Sequence, residues 1–324
     1  MPESTAKTVN CARKCHLFPN MEAILKNALH TNTLVPTGYH GGGCINDGEG
    51  YKTDQGVVFV KSNNKSEARR MFEGEYAGLK AIKDTNTIQV PNPIVVVDNP
   101  KGGAALALQF VDIKGLSKYK QLGEQLAALH LHNIELVKHG NPGYVGKEEG
   151  PLPVEKFGFH TTTCCGYIPM ENEWCDNWID FFTRQRLDMQ LRMIETEYGD
   201  REARELWVEL QHKIPKFFEG IEITPSLLHG DLWSGNAGDA NKIPIVFDPA
   251  AFYGHHEYDL AIMGMFGGFG RATLDAYHKA IPKANGFSDR HQLYQLFHYL
   301  NHWNHFGQGY RVESINIMKT LLKV

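Results

Sequence analysis

No stretch of this chain approaches the roughly 20 consecutive apolar residues that a membrane-spanning helix needs, so no membrane partner is expected. The N-terminus, MPESTAKTVNCARKCHLFPN, lacks the apolar segment of a secretory signal. Residues 1–20 therefore read as a disordered leader, with a transit peptide left open by their few cations and Ser/Thr content. An excess of positive charge is missing as well: 33 Lys and Arg against 37 Asp and Glu leave a net charge of −4. That balance removes nucleic acid as the main partner, because a phosphate backbone calls for a basic surface. Cysteine is scarce, with six in 324 residues, which excludes a disulfide scaffold. Neither Cys11 and Cys15 beside His16 nor the adjacent Cys164 and Cys165 complete a zinc signature. Reduced thiols and a cytoplasmic location are the expectation. Repeats and low-complexity tracts are absent too, and no Gly-Lys-Ser/Thr follows the glycine run GGGC, so a Walker A loop is excluded.

What is present is ordinary globular material, 42% hydrophobic and 22% charged, long enough for one or two domains. Met21–Leu29 fits an amphipathic helix, and VVFVK (Val57–Lys61) a buried strand ending in lysine. SEARRMFEGEYAGLKAI follows as a helix with Ser66 as its N-cap, then VPNPIVVVD and AALALQFVD as two more strands. From YKQLGEQLAALHLHN onward the pattern is helical, with helices expected at Asp176–Thr196, Asp200–Phe218, Glu257–Met265 and Ser288–His305. IPIVFD is a short strand among them. The expected fold class is α+β and bilobal, with a small β-rich lobe over 21–112 and a larger, mostly helical lobe over 113–324.

One stretch crowds polar, turn-prone groups directly behind two leucines: LLHGDLWSGN, Leu227–Asn236. Asp231 and Asn236 are spaced D-x-x-x-x-N, and Asp248 follows at the end of the short strand. Far upstream, Lys61 ends a strand behind a glycine-rich turn, and Glu75 lies on the next helix. Phosphoryl transfer from ATP needs these group types: a carboxylate to take the acceptor's proton, oxygen ligands for Mg²⁺, and a lysine paired with a glutamate. Each element alone is weak; their conjunction in this order is what points to a kinase-like site.

HGDLWSGN followed by FDPA and YGHHEYDLA resembles the aminoglycoside-phosphotransferase-like branch of the protein-kinase-like superfamily, where H-G-D stands for H-R-D and D-P for D-F-G. Longer segments, among them KFGFHTTTCCGYIP, LLHGDLWSGN, FDPAAFYGHHEYDLA and LYQLFHYLNHWNHFG, resemble the fructosamine-3-kinase and ketosamine-3-kinase family from about Thr31 to the C-terminus. The resemblance implies a bilobal protein-kinase-like fold and ATP- and Mg²⁺-dependent phosphorylation of the 3-hydroxyl of ketosamines, free or on glycated proteins, which leads to deglycation. It also implies roles: Asp231 as catalytic base, Asn236 and Asp248 as magnesium ligands, and Lys61 with Glu75 at the ATP. Glu73, two positions earlier, rivals Glu75. Adenine is expected on the backbone near Gln109–Val111. Asp259 is expected to brace the catalytic loop.

Gly41, Gly42 and Gly43 permit left-handed backbone and close approach, so their N–H groups suit a triphosphate. Cys44 follows directly; near the phosphates it is a candidate for oxidation and for a redox-sensitive dimer, against the alternatives of a monomer and of a plain loop residue. On the helix opened by Ser288, Leu293, Leu296, Phe297 and Leu300 fall on one side and His291, His298, His302 and His305 on the other. That second side reads as a solvated face, as a metal pair at His298 and His302, or as the wall of the sugar site. Trp233 offers an apolar plate for a sugar ring, and Trp233 and His302 are the candidate substrate contacts. Two alternatives stand beside the kinase of ketosamines: a kinase for an aminoglycoside- or choline-like hydroxyl, and a catalytically inactive binding module.

Overall fold

A computed structural model describes residues 21–41, 46–139 and 151–324 of the protein. Helix α1 (Met21–Ala28) leads into strands β1 (Val35–Gly41), β2 (Asp47–Thr53) and β3 (Gly56–Asn63), followed by helix α2 (Ala68–Asp84) and strands β4 (Pro93–Asp98) and β5 (Ala104–Gln109). The five strands form one antiparallel sheet in the order β1-β2-β3-β5-β4. The strand period of two sorts the residues of β3. Val58 and Val60 pack with Met21 and Leu25 of α1, whereas Phe59 packs with Phe72 and Leu79 of α2. Lys61 has the parity of Phe59, so it shares the α2 side of the sheet.

The expected N-cap at Ser66 is not formed. Residues 65–67 already turn, with Ala68 N–H donating to the Lys65 carbonyl at 3.1 Å, and Glu67 holds the cap position in helical backbone without a side-chain bond. A cap needs extended backbone, and the turn removes it.

After β5 the backbone passes through 110–118 into α3 (Tyr119–His139) and the larger lobe. There follow the hairpin β6 (Thr163–Cys165) and β7 (Ile168–Met170), helices α4 (Trp178–Phe182), α5 (Met189–Tyr198) and α6 (Arg201–Lys213), and strands β8 (Ser226–Leu228), β9 (Ala237–Ala240), β10 (Ile243–Val246) and β11 (Phe252–Gly254). Helices α7 (Glu257–Met263), α8 (Arg271–Ala280), α9 (Phe287–Phe306) and α10 (Arg311–Leu321) complete the lobe. β9 pairs with β10 and β11 with β8, and the catalytic-loop candidate lies between β8 and β9. Neither hairpin β6–β7, nor α8, nor α10 was an expectation of the periodicity.

The single helix expected over Asp176–Thr196 is interrupted. A π turn, Thr183–Asp188, separates α4 from α5 and turns Arg186 inward to full burial. There its guanidinium lies over the rings of Phe181 and Phe252, at 4.6 and 4.1 Å from their centroids, and donates to Asn172 Oδ1 at 2.6 Å. A charged group buried this way needs its partners, and the extra residue in the turn supplies the reach. The helix expected over Asp200–Phe218 also divides: Asp200 caps α6 by accepting the Ala203 N–H at 2.9 Å, and Pro215 leads into a 3₁₀ turn over Ile214–Phe218.

α9 opens at Gly286 in left-handed backbone, one residue before Phe287, so Ser288 is not its N-cap either. Its histidines do not make one solvated face. His298 is fully buried, and His291, His302 and His305 are partly buried, because α5, α7 and α10 pack around α9. Among the described residues no helix is long and apolar enough to cross a membrane.

Candidate active site

The loop from Leu227 to Asn236 is held by its backbone. Gly230 sits at φ 83°, and a Cβ there would meet the Ala250 carbonyl oxygen at 2.1 Å, so only glycine fits. His229, fully buried, bonds through Nε2 to the Phe247 carbonyl at 3.0 Å while its Nδ1 accepts the Asp231 N–H at 3.3 Å. That pairing assigns the proton to Nε2, and burial holds the ring's pKa down, so the ring is neutral. Asp259, at the start of α7, accepts the N–H groups of His229 at 2.7 Å and Gly230 at 2.8 Å, and its Oδ2 lies 3.1 Å from His130 Nε2 on α3. The expected brace for the loop is thus a fully buried carboxylate with three partners.

Asp231 is presented at the surface of this braced turn. Asn236 Nδ2 donates to its carbonyl at 2.9 Å and to its carboxylate Oδ2 at 3.3 Å. Burial, with the Asp248 and Asp259 carboxylates nearby, pushes the Asp231 carboxyl up to about 7, against the pull of Asn236. Such a carboxylate is matched to take a proton near neutral pH.

Across the cleft, Lys61 Nζ donates to Glu75 Oε1 at 2.6 Å and to Asp248 Oδ1. The strand brings the lysine to the helix side of the sheet and α2 brings Glu75 to meet it. Glu73 points elsewhere, pairing with exposed Arg69 at 2.6 Å. Two positions along a helix are about 200° apart, so only one of the two glutamates can face the sheet. Burial alone would lower the lysine's pKa, but Asp248 and Glu75 more than offset it and the group stays charged. Asp248 takes a left-handed backbone, φ 57°, which lifts its carboxylate out of the β10 line toward Lys61.

Gly41 closes β1, and its backbone is not left-handed. Its reason for being glycine is contact, since a Cβ would meet the Phe59 ring at 2.4 Å, as one on its pair partner Gly48 would at 2.5 Å. Gly42, Gly43 and Cys44 lie outside the described residues, as does the leader 1–20. Gln109 ends β5 with its N–H given to the Asn92 carbonyl at 2.8 Å, and Val111 lies two residues beyond the strand's end.

Trp233 is exposed, with its ring lying over Gly235, where a Cβ would come within 2.1 Å of the indole. Its edge meets Phe266 at 6.1 Å, and Phe266 meets His302 at 5.0 Å, so one ring joins the two candidate substrate contacts. His302 Nδ1 bonds to the His298 carbonyl at 2.7 Å, and burial holds its pKa below the usual histidine range. The metal pair at His298 and His302 is not formed: His298 is sealed in the core, and among the described residues no cluster of three or more His, Cys, Asp or Glu is set to hold a metal. The sequence reading also passed over His130, whose only signal is a histidine on the apolar face of a helix.

Two lobes of this kind, with a lysine–glutamate pair in one and a histidine-braced aspartate loop in the other, define a phosphotransferase of the kinase-like class. In fold the protein resembles the streptomycin–ATP ternary complex of APH(2″)-IIa at TM-score 0.58 and 12% identity, covering 96% of this chain and 97% of that one. A provisionally assigned fructosamine-3-kinase from Thermobifida fusca is nearer, at TM-score 0.76 and 24% identity, covering 94% and 99%. The family model for fructosamine kinase matches residues 18–324, and the chain belongs to that family. It is 54% identical over 309 residues to ketosamine-3-kinase of Mus musculus, covering 94% of this chain and 100% of the relative. To the chloroplastic protein-ribulosamine 3-kinase of Arabidopsis thaliana it is 39% identical over 308 residues, covering 94% and 88%.

Proposed function

We propose that this protein transfers the γ-phosphoryl group of ATP to the 3-hydroxyl of ketosamines and so acts in deglycation. The observation that carries the reading is the convergence of Lys61, Glu75 and Asp248 from three separate segments opposite the Asp231–Asn236 loop, in a member of the fructosamine kinase family. Asp231 orients the acceptor hydroxyl and takes its proton as the new P–O bond forms and the bond from the γ-phosphorus to the bridging oxygen breaks, releasing ADP. Lys61, steadied by Glu75, holds the α- and β-phosphates, beside the end of β1 at Gly41. Adenine lies against the backbone of Gln109–Val111, at a lobe boundary that we draw between residues 112 and 113.

The donor set suits Mg²⁺. Asp248 and Asn236 offer hard oxygens, and a magnesium site built on one or two protein oxygens draws its other ligands from phosphates and water. When bound, the ion neutralises charge developing on the transferred phosphoryl group. Asp248 is paired with Lys61, so the same carboxylate has a cation ready to balance it before magnesium arrives. Trp233 stacks on the apolar face of the sugar, and His302, with its proton committed to the His298 carbonyl, keeps Nε2 as an acceptor for a sugar hydroxyl. A cytoplasmic location stays part of this reading, supported by the sparse cysteines.

Neither a kinase for an aminoglycoside- or choline-like hydroxyl nor an inactive binding module draws support from a specific feature of the site. The test is ATP consumption by the purified protein with a fructosamine and a ribulosamine side by side, with Asp231→Asn as control. Phosphorylation of at least one ketosamine that the control lacks is expected; no turnover with either substrate would reject the reading.

A further inference from the structure

Aromatic residues are unevenly distributed over the surface. Among the described residues the exposed aromatic side chains are Tyr39, Tyr167, Trp174, Trp233, Phe266 and Phe306. Three of them belong to one line of ring contacts that starts beside the Asp231 loop. From Trp233 the line passes to Phe266 at 6.1 Å, to His302 at 5.0 Å and on to Phe306 at 5.6 Å, with Tyr310 touching both of the last two at 5.1 and 6.1 Å. Tyr167 reaches the far end through His305, at 4.3 Å, whose ring lies 5.6 Å from Phe306.

The line is fastened to the catalytic loop. A Cβ on Gly268 would meet Ser234 Cβ at 2.3 Å, so the segment carrying Phe266 lies flush against residues that follow Asp231. A sugar adduct stacked on Trp233 and bonded to His302 uses only the inner end. Phe306, 60% exposed, continues the apolar surface outward beyond what a hexose or pentose covers. Residues 263–270 and 299–310 contain no Asp, Glu, Lys or Arg, and burial holds down the pKa of both His302 and His305; at the far end Lys65 Nζ lies 5.7 Å over the Tyr167 ring.

We propose that Phe266, Phe306 and Tyr310 form a docking surface for the polypeptide on either side of a glycated lysine. The proposal rests on the ketosamine kinase reading above and adds the surface that receives the polypeptide part of the substrate. Sugars attach without an enzyme to lysines in many sequence contexts, so the surface that receives them cannot read one sequence. Uncharged aromatic rings meet this need, because they pack on the C–H groups of any peptide, whatever its composition, and require no complementary charge. The lysine stem carries the adduct inward to Trp233, and the flanking backbone remains on the outer rings.

The experiment compares two substrates: a glycated lysine with its α-amino and carboxyl groups blocked, and a peptide with residues on both sides of one glycated lysine. For the double variant Phe306→Ala/Tyr310→Ala, kcat/KM for the peptide falls roughly tenfold while that for the blocked amino acid stays unchanged. Phe306→Ala alone, at an exposed position that leaves folding intact, gives a smaller loss of the same selectivity. Equal losses on both substrates, or no loss on either, overturn the proposal. A wild-type dimer that the double variant dissolves would assign the surface to a second copy of the protein and equally overturn it. Wild-type protein inert toward both substrates defeats the kinase reading itself, and the docking surface falls with it.

Discussion

Asp231 and Asp259 stand at the two ends of one device and are treated in opposite ways. Asp259 is sealed in the core yet accepts two backbone N–H groups and faces His130, and these partners outweigh burial and pull its carboxyl below the usual range. Asp231 is less enclosed by the protein surface, but its one side-chain donor is a long Asn236 contact, and the Asp248 and Asp259 charges face it, so its carboxyl rises to about 7. One aspartate is satisfied and stays ionised to hold the loop. The other is left short of partners, which raises its proton affinity and fits the base role proposed for it. The pair shows that what separates a structural carboxylate from a reactive one is the supply of donors, more than depth in the protein.

The largest expected effect is on the reactive member. Asp231→Asn keeps the shape and removes the base, and kcat is expected to fall about 10²- to 10⁴-fold while the ATP-induced rise in melting temperature persists. Turnover near wild type would break the assignment. Next comes Asp259→Asn, which places an amide N–H against the two backbone donors and costs about 2 kcal/mol of stability. Urea unfolding of this variant beside wild type measures it, and an unchanged midpoint would remove Asp259 as the brace.

The pH dependence follows from the same comparison. The active form of Asp231 is deprotonated, so kcat/KM in the free enzyme should rise with pH through about 7 and fall below it. A pH–rate profile with no acid limb between pH 5 and 8, roughly the window a group near 7 commands, would contradict this. For stability the signs oppose. Asp259, with its folded pKa depressed, contributes stability above its unfolded pKa that is lost as the pH falls through the folded one. Asp231, with its folded pKa raised, costs stability as the pH rises from its unfolded value to about 7. Asp231→Asn should therefore stabilise the protein at pH 8 by on the order of 1 kcal/mol, seen as a higher melting temperature, while Asp259→Asn lowers it. Two variants shifting in the same direction would dissolve the contrast. Trp233→Ala is a test outside the pair: KM for the ketosamine is expected to rise roughly 5- to 10-fold with KM for ATP unchanged. A matching rise for both would make Trp233 a support of the loop only.

Much of the catalytic loop was legible in the sequence. D-x-x-x-x-N behind two leucines, with Gly230 and Gly235 where the backbone must turn, encodes its shape over a few residues, and turn chemistry acts at that range. The strand carrying Lys61 was legible from its apolar run, although it continues two residues past the expected end to Asn63. The helix ends at Ser66 and Ser288 were misread because an N-cap depends on backbone that the preceding turn had already committed. The readings of the α9 histidines as one solvated face and as a metal pair failed because periodicity states which residues share a side and is silent about what packs there. His298 lies in the core despite its polarity.

By itself the sequence determined the strand and helix periods, the turn at Asp231 and the order of the chemical groups along the protein, all of which are set by neighbours within a turn or two. The tertiary structure decided that Asp248 arrives from another lobe to share Lys61 and that His130 reaches back to Asp259 behind the loop, and it gave the expected Glu75 and Asp259 their partners. Those choices depend on the phase at which a helix docks and on which donors end up beside which carboxylate, and such proximity exists only once distant segments have packed.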